Sequence, residues 1–416
     1  MPGRVRLAYV TTIPGTQWNF LCGQNRYLLE RGFEIHAISS PGADLDNLVE
    51  RDHVVPHPVP IARTISPIQD CVTLWRLFRV FRKIQPHIAH VSTSKAALLG
   101  SVAAYAARVP IRIFCMRGSV TEPASGVRRK VYRWVERLNA RLCNHTICVS
   151  DSLLRFARSE SILTSTEGMV PANGMSNGID VQTFTPDAGD AAWIRSLPGS
   201  LAALAHDSSA VVIGYVGRLT RDKGIEELAA AWTNIRAEFA NAHLLLVGPW
   251  EDPVSAEVRS IFEADRRVHL TGSVTSVAPL YRLMSLFVFP SWREGFPNAP
   301  MEAAAMGLPV VATRVVGCVD AVENGTTGLL VPPRDGRALA NAMRVYLKSA
   351  ELRREHGQAG RGRVLRDFRR EAIWEALYQE YVRLLRQSGL TVGIDTRRVD
   401  TDPRLSPSRE PVMTGK

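Results

Sequence analysis

The segment Gly214-Tyr215-Val216-Gly217-Arg218-Leu219-Thr220-Arg221-Asp222-Lys223-Gly224 decides the fold of the second half of this chain. It begins inside a predicted strand, Val211–Val216, and it leads into a predicted helix, Ile225–Phe239. Ligands of open α/β sheets bind at the carboxyl ends of the strands. Two cations there, Arg218 and Lys223, beside a helix N-terminus, would suit a diphosphate. The alternative is that both are surface cations on an ordinary loop.

Short apolar strands separated by helical segments continue on both sides of this segment. In the first half, the predicted strands are Val5–Val10, Glu34–Ser39, His87–Val91, Ile111–Met116 and Thr146–Val149, and the predicted helices are Gln24–Arg31 and Lys95–Ala107. In the second half, the further strands are His243–Val247, Val268–Leu270, Leu286–Phe289 and Val310–Ala312, and the closing helices are Leu339–Leu347 and Ala372–Arg386. Strands that alternate with helices form parallel sheets. We therefore expect an α/β protein with two doubly wound, Rossmann-like domains that face each other across a cleft.

Composition sets the expected domain limits. Residues 183–209 are rich in Pro, Gly, Ser and Asp, which predicts a linker and surface loop. Residues 391–416 have no apolar period, which predicts a disordered tail. We expect one domain over residues 1–180 and a second over residues 181–371.

The length and the cysteine pattern limit the class of protein. A chain of 416 residues with 45% apolar residues can build two cores. None of its six cysteines forms a C-x-x-C pair or has zinc-site spacing, which favours reduced thiols. The sequence has no recognisable signal peptide and no apolar run of about eighteen residues. We expect a cytoplasmic protein, with peripheral attachment to the inner face of the cell membrane as an option.

The positive charge is concentrated in the first half of the chain. Of the 51 Lys and Arg residues, 22 lie in residues 1–178 beside 12 Asp and Glu, whereas the remainder has 29 beside 28. Such asymmetry predicts an anionic partner for the first half, such as nucleic acid, acidic lipid or a phosphorylated substrate. The alternative is a solvated basic face without a partner.

A second motif, Glu294-Gly295-Phe296-Pro297-Asn298-Ala299-Pro300-Met301-Glu302, follows a predicted strand. Its two prolines suit the entry and first turn of a helix. Glu294 would then lie on the loop before the helix, and Glu302 would lie in its second turn. Carboxylates suit sugar and ribose hydroxyls, because each accepts two O–H hydrogen bonds. Two glutamates at this spacing can also mean only a solvated helix.

In this order, the motifs resemble the large retaining glycosyltransferase family with the GT-B fold, called family 4. The resemblance covers about residues 4–388. It is carried by Asn177-Gly178-Ile179-Asp180, Gly217-Arg218-Leu219, Asp222-Lys223-Gly224, Leu245-Leu246-Val247-Gly248, Glu294-Gly295-Phe296-Pro297, Glu302-Ala303 and Gly325-Thr326-Thr327-Gly328-Leu329-Leu330-Val331. It implies that a helix at about 372–388 crosses back onto the first domain. It also implies a nucleoside-diphosphate sugar as co-substrate, no cofactor and no metal.

The resemblance also implies roles for individual residues. Arg218 and Lys223 would neutralise the leaving diphosphate, and Glu294 would hold hydroxyls of the donor sugar. Glu302 would bind the ribose, and the Gly272–Val274 segment would lie near the base. The expected donor-binding positions are Gly15, Gly217, Gly272, Val274, Gly295, Phe296, Pro297, Asn298 and Glu302.

The first domain would bind the acceptor. Thr11–Gly15, Gln24–Leu28, Ser94-Lys95-Ala96 and Met116-Arg117-Gly118 resemble the branch that makes capsule, O-antigen or exopolysaccharide repeats. This branch implies a polyprenyl-diphosphate-linked saccharide as acceptor, with Lys95 and Arg117 on the acceptor side. Many family members have a His where this chain has Arg117. An Arg cannot act as a base at neutral pH, so we expect it to contact a phosphate or sugar oxygen. The alternative is that it pairs with a carboxylate.

The expected reaction is transfer of a sugar from a nucleoside-diphosphate sugar to a hydroxyl, with retention of the anomeric configuration. We expect a UDP-sugar as donor in preference to a guanosine-diphosphate sugar. Alternatives are a nucleotide-sugar epimerase or a phosphorylase of the same fold. A third alternative is a non-catalytic, basic nucleic-acid-binding protein. Against that alternative, the first half has no recognisable nucleic-acid module, and we expect no nucleic-acid partner.

Two helical segments of the first half are basic and aromatic. In Leu74–Ile84, an apolar face lies opposite Arg76, Arg79, Arg82 and Lys83, and Trp75 falls on the basic side. In Arg128–Leu142, the apolar face contains Val131, Trp134, Val135, Leu138 and Leu142. We expect both apolar faces to pack on the sheet while the cations meet an anionic membrane surface. The alternative is that the cations only solubilise the protein.

Overall fold

The chain forms two parallel six-stranded sheets covered by helices. The computed structural model describes residues 4–62, 64, 66–187, 194, 197, 199–251 and 254–390. The strand orders are β3-β2-β1-β4-β5-β6 in the first sheet and β12-β11-β10-β7-β8-β9 in the second. In each sheet the direction of the strand order reverses beside the strand that comes first in the chain. The reversal lies between β1 and β4 in the first sheet and between β7 and β10 in the second, as in doubly wound nucleotide-binding folds. The predicted α/β architecture of two Rossmann-like units is confirmed.

The first sheet is built from six strands and its connecting helices. The strands are β1 (Val5–Val10), β2 (Phe33–Ser39), β3 (Val55–Pro58), β4 (Ile88–Ser92), β5 (Ile111–Met116) and β6 (His145–Cys148). The helices are α1 (Pro14–Phe20), α2 (Gln24–Leu29), α3 (Ala43–Asp52), α4 (Pro67–Ile84), α5 (Ser94–Ala106), α6 (Gly126–Leu142) and α7 (Asp151–Ser159). The central strands are buried on both faces, which explains their continuous apolar runs.

The second sheet repeats this plan. Its strands are β7 (Val211–Val216), β8 (Ala242–Val247), β9 (Val268–Gly272), β10 (Leu286–Phe289), β11 (Val310–Thr313) and β12 (Gly328–Val331). The helices are α8 (Gly199–His206), α9 (Ile225–Ile235), α10 (Ala256–Glu263), α11 (Ala278–Tyr281), α12 (Asn298–Ala305), α13 (Cys318–Ala321), α14 (Gly336–Lys348) and α15 (Ala350–Asp367). A 3₁₀ turn, Arg221–Lys223, precedes α9.

The last described helix, α16 (Arg370–Gln387), packs on the first sheet although it follows the second. The Tyr381 hydroxyl lies 3.1 Å from the Tyr9 hydroxyl of β1 and 2.6 Å from His90 Nδ1 of β4. Trp374 Nε1 donates to Asn177 Oδ1 at 2.7 Å, which ties the start of the helix to the first domain. The chain therefore crosses between the domains twice.

Several expectations about elements were incomplete or wrong. The predicted linker contains the helix α8, so residues 199–206 are not a loop. Strands β3 and β12 and helix α15 were not predicted. The long helix α15 is charged around its surface and has almost no apolar periodicity, so the pattern could not indicate it. The predicted tail at 391–416 lies outside the described residues.

The expected packing of the two basic helices is right for α4 and largely wrong for α6. In α4, Leu77, Phe81 and Ile84 are buried and Trp75 is exposed. In α6, by contrast, Trp134 is 60% exposed and Val131 is also exposed. The buried residues of α6 are Glu136 and Asn139, which hydrogen-bond to a loop and to α5. Polar contacts thus fix the rotation of α6.

The cysteines and the helix lengths bear on two expectations about the whole chain. All six cysteines are free, and four of them are buried. Within the described residues, no helix is both long and apolar enough to cross a membrane.

Candidate active site

A cavity of 350 Å³ lies between the two sheets, at the carboxyl ends of their strands. The first domain lines it with the loop 117–122 after β5 and with the start of α5. The second domain lines it with the loop after β7, which carries Arg218, and with Arg293, Glu294 and Gly295 after β10. This is where ligands bind in open α/β sheets.

The loop after β7 directs Arg218 and Lys223 to the cavity. Gly224 ends the 3₁₀ turn with φ +75°, and a Cβ there would lie 2.1 Å from the Pro290 carbonyl oxygen. Only glycine fits this contact and this backbone conformation. The Tyr215 hydroxyl donates to the Arg218 carbonyl at 2.8 Å and holds the other end of the loop. The glycine of the motif therefore positions the lysine that precedes it.

The two cations have different environments. Lys223 Nζ lies 2.5 Å from Glu294 Oε1, and these side chains are only 18% and 13% exposed. Arg218 Nη1 lies 2.8 Å from Glu251 Oε2, and both of these side chains are about half exposed. A diphosphate in the cavity would compete with a carboxylate for each cation. The competition at Lys223 would take place with little water present, where electrostatic interactions are stronger.

Arg293 is a third cation of the cavity that the sequence did not indicate. Its Nη2 lies 3.4 Å from Asp222 Oδ2. Burial would raise the pKa of Asp222, but a hydrogen bond from Thr220 and the charges of Lys223, Arg293 and Arg218 together lower it. Asp222 is thus a carboxylate surrounded by the three cations, and it helps to hold them together.

Glu302 lies in the second turn of α12, as expected, but it is outside the lining of this cavity. The Tyr281 hydroxyl donates to Glu302 Oε2 at 3.0 Å. Burial raises the pKa of Glu302 to about 7, although the Tyr281 hydrogen bond opposes this shift. Among the described residues the other carboxylate oxygen, Oε1, accepts no hydrogen bond, so it can accept one from a ligand hydroxyl.

The first domain holds the loop that contains Gly295. The Ser150 hydroxyl donates to the Gly295 carbonyl at 2.7 Å, and the Gly317 N–H donates to Ser152 Oγ at 2.8 Å. The Ser152 N–H donates to Asp320 Oδ1 at 3.2 Å, and the Ser152 hydroxyl also contacts this carboxylate. We call Ser150, Ser152, Gly295, Gly317 and Asp320 the interdomain seam. The seam joins the N-terminus of α7 to α13 and to the Glu294-Gly295 loop.

Arg117 lies beside this seam and has no ion-pair partner in the part of the chain that the structure describes. Its carbonyl oxygen would be 2.0 Å from a Cβ on Gly295, so the two backbones touch. Its Nε and Nη1 are buried and have no hydrogen-bond partner among the described residues. The guanidinium lies 5.5 Å from the centre of the Phe20 ring. Burial lowers the pKa of His90 to about 3, and the positive charge of Arg117 adds to this shift. The alternative that Arg117 pairs with a carboxylate is not observed in the described part of the chain.

Arg117 lines the cavity, whereas two other predicted first-domain residues, Lys95 and Gly15, lie outside its lining. Lys95 pairs with Asp70 at 2.6 Å and donates to the Thr64 carbonyl, so its charge is already compensated. Gly15 lies in α1, where a Cβ would be 2.7 Å from Asp44 Oδ2. The neighbours of Lys95, Thr93 and Ser94, do line the cavity.

The remaining predicted donor residues lie along the second sheet. Gly272 ends β9, and its carbonyl accepts from Gly248 N–H at 3.0 Å, which brings it close to the strand end at Gly217. Val274 follows on an exposed loop. Phe296 is buried against Phe368, with 5.5 Å between the ring centres, and therefore has a packing role. Pro297 and Asn298 start α12. The donor roles of these residues stay predictions.

Within the described residues, no group of three or more His, Cys, Asp or Glu side chains is arranged to hold a metal. The expectation of a reaction without metal or cofactor stays a prediction.

Comparisons with known proteins identify the class of this protein. Residues 15–164 match the family model "Glycosyl transferase 4-like domain", and residues 210–349 match "Glycosyl transferases group 1". The chain belongs to this glycosyltransferase family, family 4, and is a glycosyltransferase with a nucleotide-sugar donor.

Individual relatives agree with this assignment. The chain is 32% identical over 368 residues to the capsular polysaccharide biosynthesis glycosyltransferase CapM of Staphylococcus aureus. These residues make up 88% of this chain and 94% of CapM. It is 26% identical to the UDP-Gal:alpha-D-GlcNAc-diphosphoundecaprenol alpha-1,3-galactosyltransferase of Escherichia coli, over 82% of this chain and 87% of the relative. Among solved structures, HepE of Anabaena in complex with UDP superposes with a TM-score of 0.73 at 16% identity, over 91% of this chain and all of HepE. This last likeness supports the GT-B fold.

Proposed function

We propose that the protein transfers a sugar from a UDP-sugar, with retention of configuration, to a saccharide linked to polyprenyl diphosphate. The observation that carries the proposal is the interdomain cavity that contains Arg218, Lys223 and Glu294. The names of two relatives support its finer parts: one makes capsular polysaccharide, and the other uses a UDP-sugar and a diphosphoundecaprenol-linked acceptor. The product would serve polysaccharide biosynthesis.

The proposed reaction is a displacement on one face of the sugar. The bond between the anomeric carbon and the diphosphate oxygen breaks, and the acceptor hydroxyl forms the new bond on the same face. The hydroxyl proton passes to the departing diphosphate oxygen, so no protein nucleophile takes part. Lys223, Arg218 and Arg293 stabilise the negative charge that develops on the diphosphate, which is the main catalytic contribution. Glu294 holds hydroxyls of the donor sugar.

A panel of nucleotide sugars tests this function. We expect release of UDP from one UDP-sugar, with faster release when a polyprenyl-diphosphate-linked saccharide is present, and NMR of the product should show the donor's anomeric configuration. Release of UDP at equal rates with and without every acceptor, or an inverted product, would contradict the proposal. Formation of an isomeric UDP-sugar would indicate an epimerase, and a requirement for inorganic phosphate would indicate a phosphorylase. Binding of nucleic acid without any turnover would favour the non-catalytic alternative.

We also propose that the first domain rests on an anionic membrane surface through α4 and α6. Both helices carry an exposed apolar stripe with the same spacing: Ile68, Val72 and Trp75 in α4, and Val127, Val131 and Trp134 in α6. The spacing i, i+4, i+7 places each stripe on one helix face. Exposed tryptophan beside cations is typical of helices that lie at a lipid interface.

The position of the two helices supports a common surface. Both pack against α5, so all three lie in one layer on the same side of the first sheet. Exposed cations flank the two stripes: Arg76, Arg79, Arg82 and Lys83 in α4, and Arg128, Lys130 and Arg141 in α6. The Arg79 guanidinium lies 4.7 Å from the centre of the Trp75 ring. Each cation near an anionic surface contributes about 1 kcal/mol. Such attachment would bring the cavity close to a lipid-linked acceptor.

A further inference from the structure

Glu122 is a carboxylate of the first domain that lines the interdomain cavity and has no part in the donor machinery described above. It follows β5 and faces the second domain across the cavity. The Val316 backbone N–H on the opposite domain lies close enough to this carboxylate to favour its ionised form. Among the described residues it makes no salt bridge. Its hydrogen-bonding capacity is therefore only partly used, since an ionised carboxylate can accept about four hydrogen bonds.

The loop that carries Glu122 is held by buried contacts. The Glu136 carboxylate of α6 accepts from the Ser119 hydroxyl at 2.9 Å, from the Val120 N–H at 3.0 Å and from the Thr121 hydroxyl at 2.7 Å. Arg129 Nη1, also of α6, donates to the Thr121 carbonyl at 3.4 Å. A side chain on a loop held in this way can bind a ligand without a large loss of conformational entropy.

The charges around Glu122 are mixed. Burial raises the pKa of its carboxyl to about 7, and the Glu294 carboxylate adds to the increase. The charges of Arg293 and Arg129 and the Val316 N–H oppose it. Arg218, Lys223 and Asp222 also line the cavity. Above pH 7 the group is therefore a carboxylate in an environment where a hydroxyl is a favourable partner.

We propose that Glu122 binds hydroxyls of the acceptor sugar and orients that sugar toward the donor. The inference rests on the proposed function, because it needs an acceptor that enters the cavity from the first domain. Glu294 would hold the donor sugar on one wall, and Glu122 would hold the acceptor sugar on the other. Glu122 does not take the reacting proton, which passes to the diphosphate. A carboxylate at this place favours a polyhydroxylated acceptor over water, because it can accept hydrogen bonds from two of its hydroxyls.

The test measures acceptor-dependent and acceptor-independent release of UDP from the best UDP-sugar of the panel. Both reactions need the same bound donor. The ratio of the acceptor-dependent rate to the acceptor-independent rate is therefore unaffected by protonation of groups in the donor site, including Glu302. In Glu122→Gln we expect this ratio to fall at least about tenfold with a raised KM for the acceptor, because a neutral amide accepts hydroxyls less strongly. The Kd for UDP should stay within about twofold. Glu167→Gln, an exposed glutamate of the same domain outside the cavity, is the matched control.

The pH profile separates binding from a merely structural role. With a pKa of about 7, the carboxylate fraction rises about tenfold between pH 6 and pH 8, so the ratio should rise similarly in the parent protein. Glu122→Asp should keep this rise, and Glu122→Gln should lose it. An unchanged ratio and profile in Glu122→Gln would overturn the proposal. So would a loss of UDP affinity as large as the loss of acceptor-dependent release. A parent protein that releases UDP from no donor would instead contradict the proposed function.

Discussion

At the scale of single residues, the two glutamates of the second motif lie in different surroundings. Glu294 is the partner of Lys223 inside the cavity, whereas Glu302 is bound by Tyr281 outside its lining. Loss of the Glu294 charge would free Lys223 for the diphosphate. If Glu302 has its predicted role, loss of its charge would weaken an acceptor of ribose hydroxyls. The same chemical change should therefore affect different steps.

We expect Glu302→Gln to raise the KM of the donor and the Kd of free UDP, measured by calorimetry. Glu294→Gln should keep or improve the affinity for UDP and lower kcat, because the donor sugar loses its partner. Since the Glu302 pKa is about 7, UDP binding by the parent should weaken as the pH falls through 7, and Glu302→Gln should lack this part of the profile. The reverse pattern, with weaker UDP binding in Glu294→Gln, would mean that the roles are exchanged.

The sequence indicated the cavity residues whose neighbours in the chain form a motif. Arg218, Lys223 and Glu294 fall in this group, because glycine turns at strand ends fix them locally. It did not indicate Arg293, Glu122 or Asp320, whose positions depend on contacts between the domains. Sequence spacing also could not show that Lys95 is neutralised by Asp70, a partner that lies on another helix.

At the scale of elements, the interdomain seam makes α7 of the first domain a support for the Glu294-Gly295 loop. Ser152→Ala would leave the Gly317 N–H without its partner, and an unsatisfied buried donor costs about 1–3 kcal/mol. The lost hydrogen bond destabilises the seam that holds Gly295. We therefore expect kcat to fall about tenfold with little change in the Kd for UDP.

A serine at the other end of α7 provides the control for the seam. Ser159 is exposed, and its hydroxyl donates to the Phe156 carbonyl of its own helix and to no other described residue, so Ser159→Ala should behave like the parent. Asp320→Asn should reproduce the effect of Ser152→Ala. Equal kcat values for all three variants and the parent would show that the seam does not position the Glu294-Gly295 loop.

The surfaces of α4 and α6 lead to a second prediction at this scale. The parent protein should co-sediment with phosphatidylglycerol vesicles and not with phosphatidylcholine vesicles, and salt should weaken the binding because it screens the charges. The double change Arg79→Glu and Lys83→Glu should reduce sedimentation and transfer to a membrane-embedded acceptor, while donor binding persists.

A matched change of charge on the second domain controls for net charge. Arg266→Glu with Arg337→Glu alters two exposed cations there by the same amount. Equal sedimentation of the α4 variant and this control would exclude α4 as the contact surface.

The exposure of α6 was not foreseeable from its pattern, because amphipathic spacing does not show that Glu136 and Asn139 fix the helix rotation.

At the scale of the whole molecule, α16 and the seam join two domains that repeat one plan. The repetition of strands and helices predicted this plan, because parallel sheets leave a strong apolar signal. Sequence patterns alone could not give the relative placement of the domains, which depends on contacts such as those of Tyr381 with Tyr9 and His90. That placement turns two separate sheet edges into one cavity.

The central claim is that Arg218 and Lys223 neutralise the leaving diphosphate in this cavity. It is tested most directly by kcat for donor turnover in Arg218→Ala and Lys223→Ala. Arg221→Ala is the control, because Arg221 is a cation of the same loop that does not line the cavity. We expect each of the first two variants to lose at least about a hundredfold in kcat, as after removal of an oxyanion-hole donor, and the control to lose little. Near-parental kcat in both Arg218→Ala and Lys223→Ala would contradict the account.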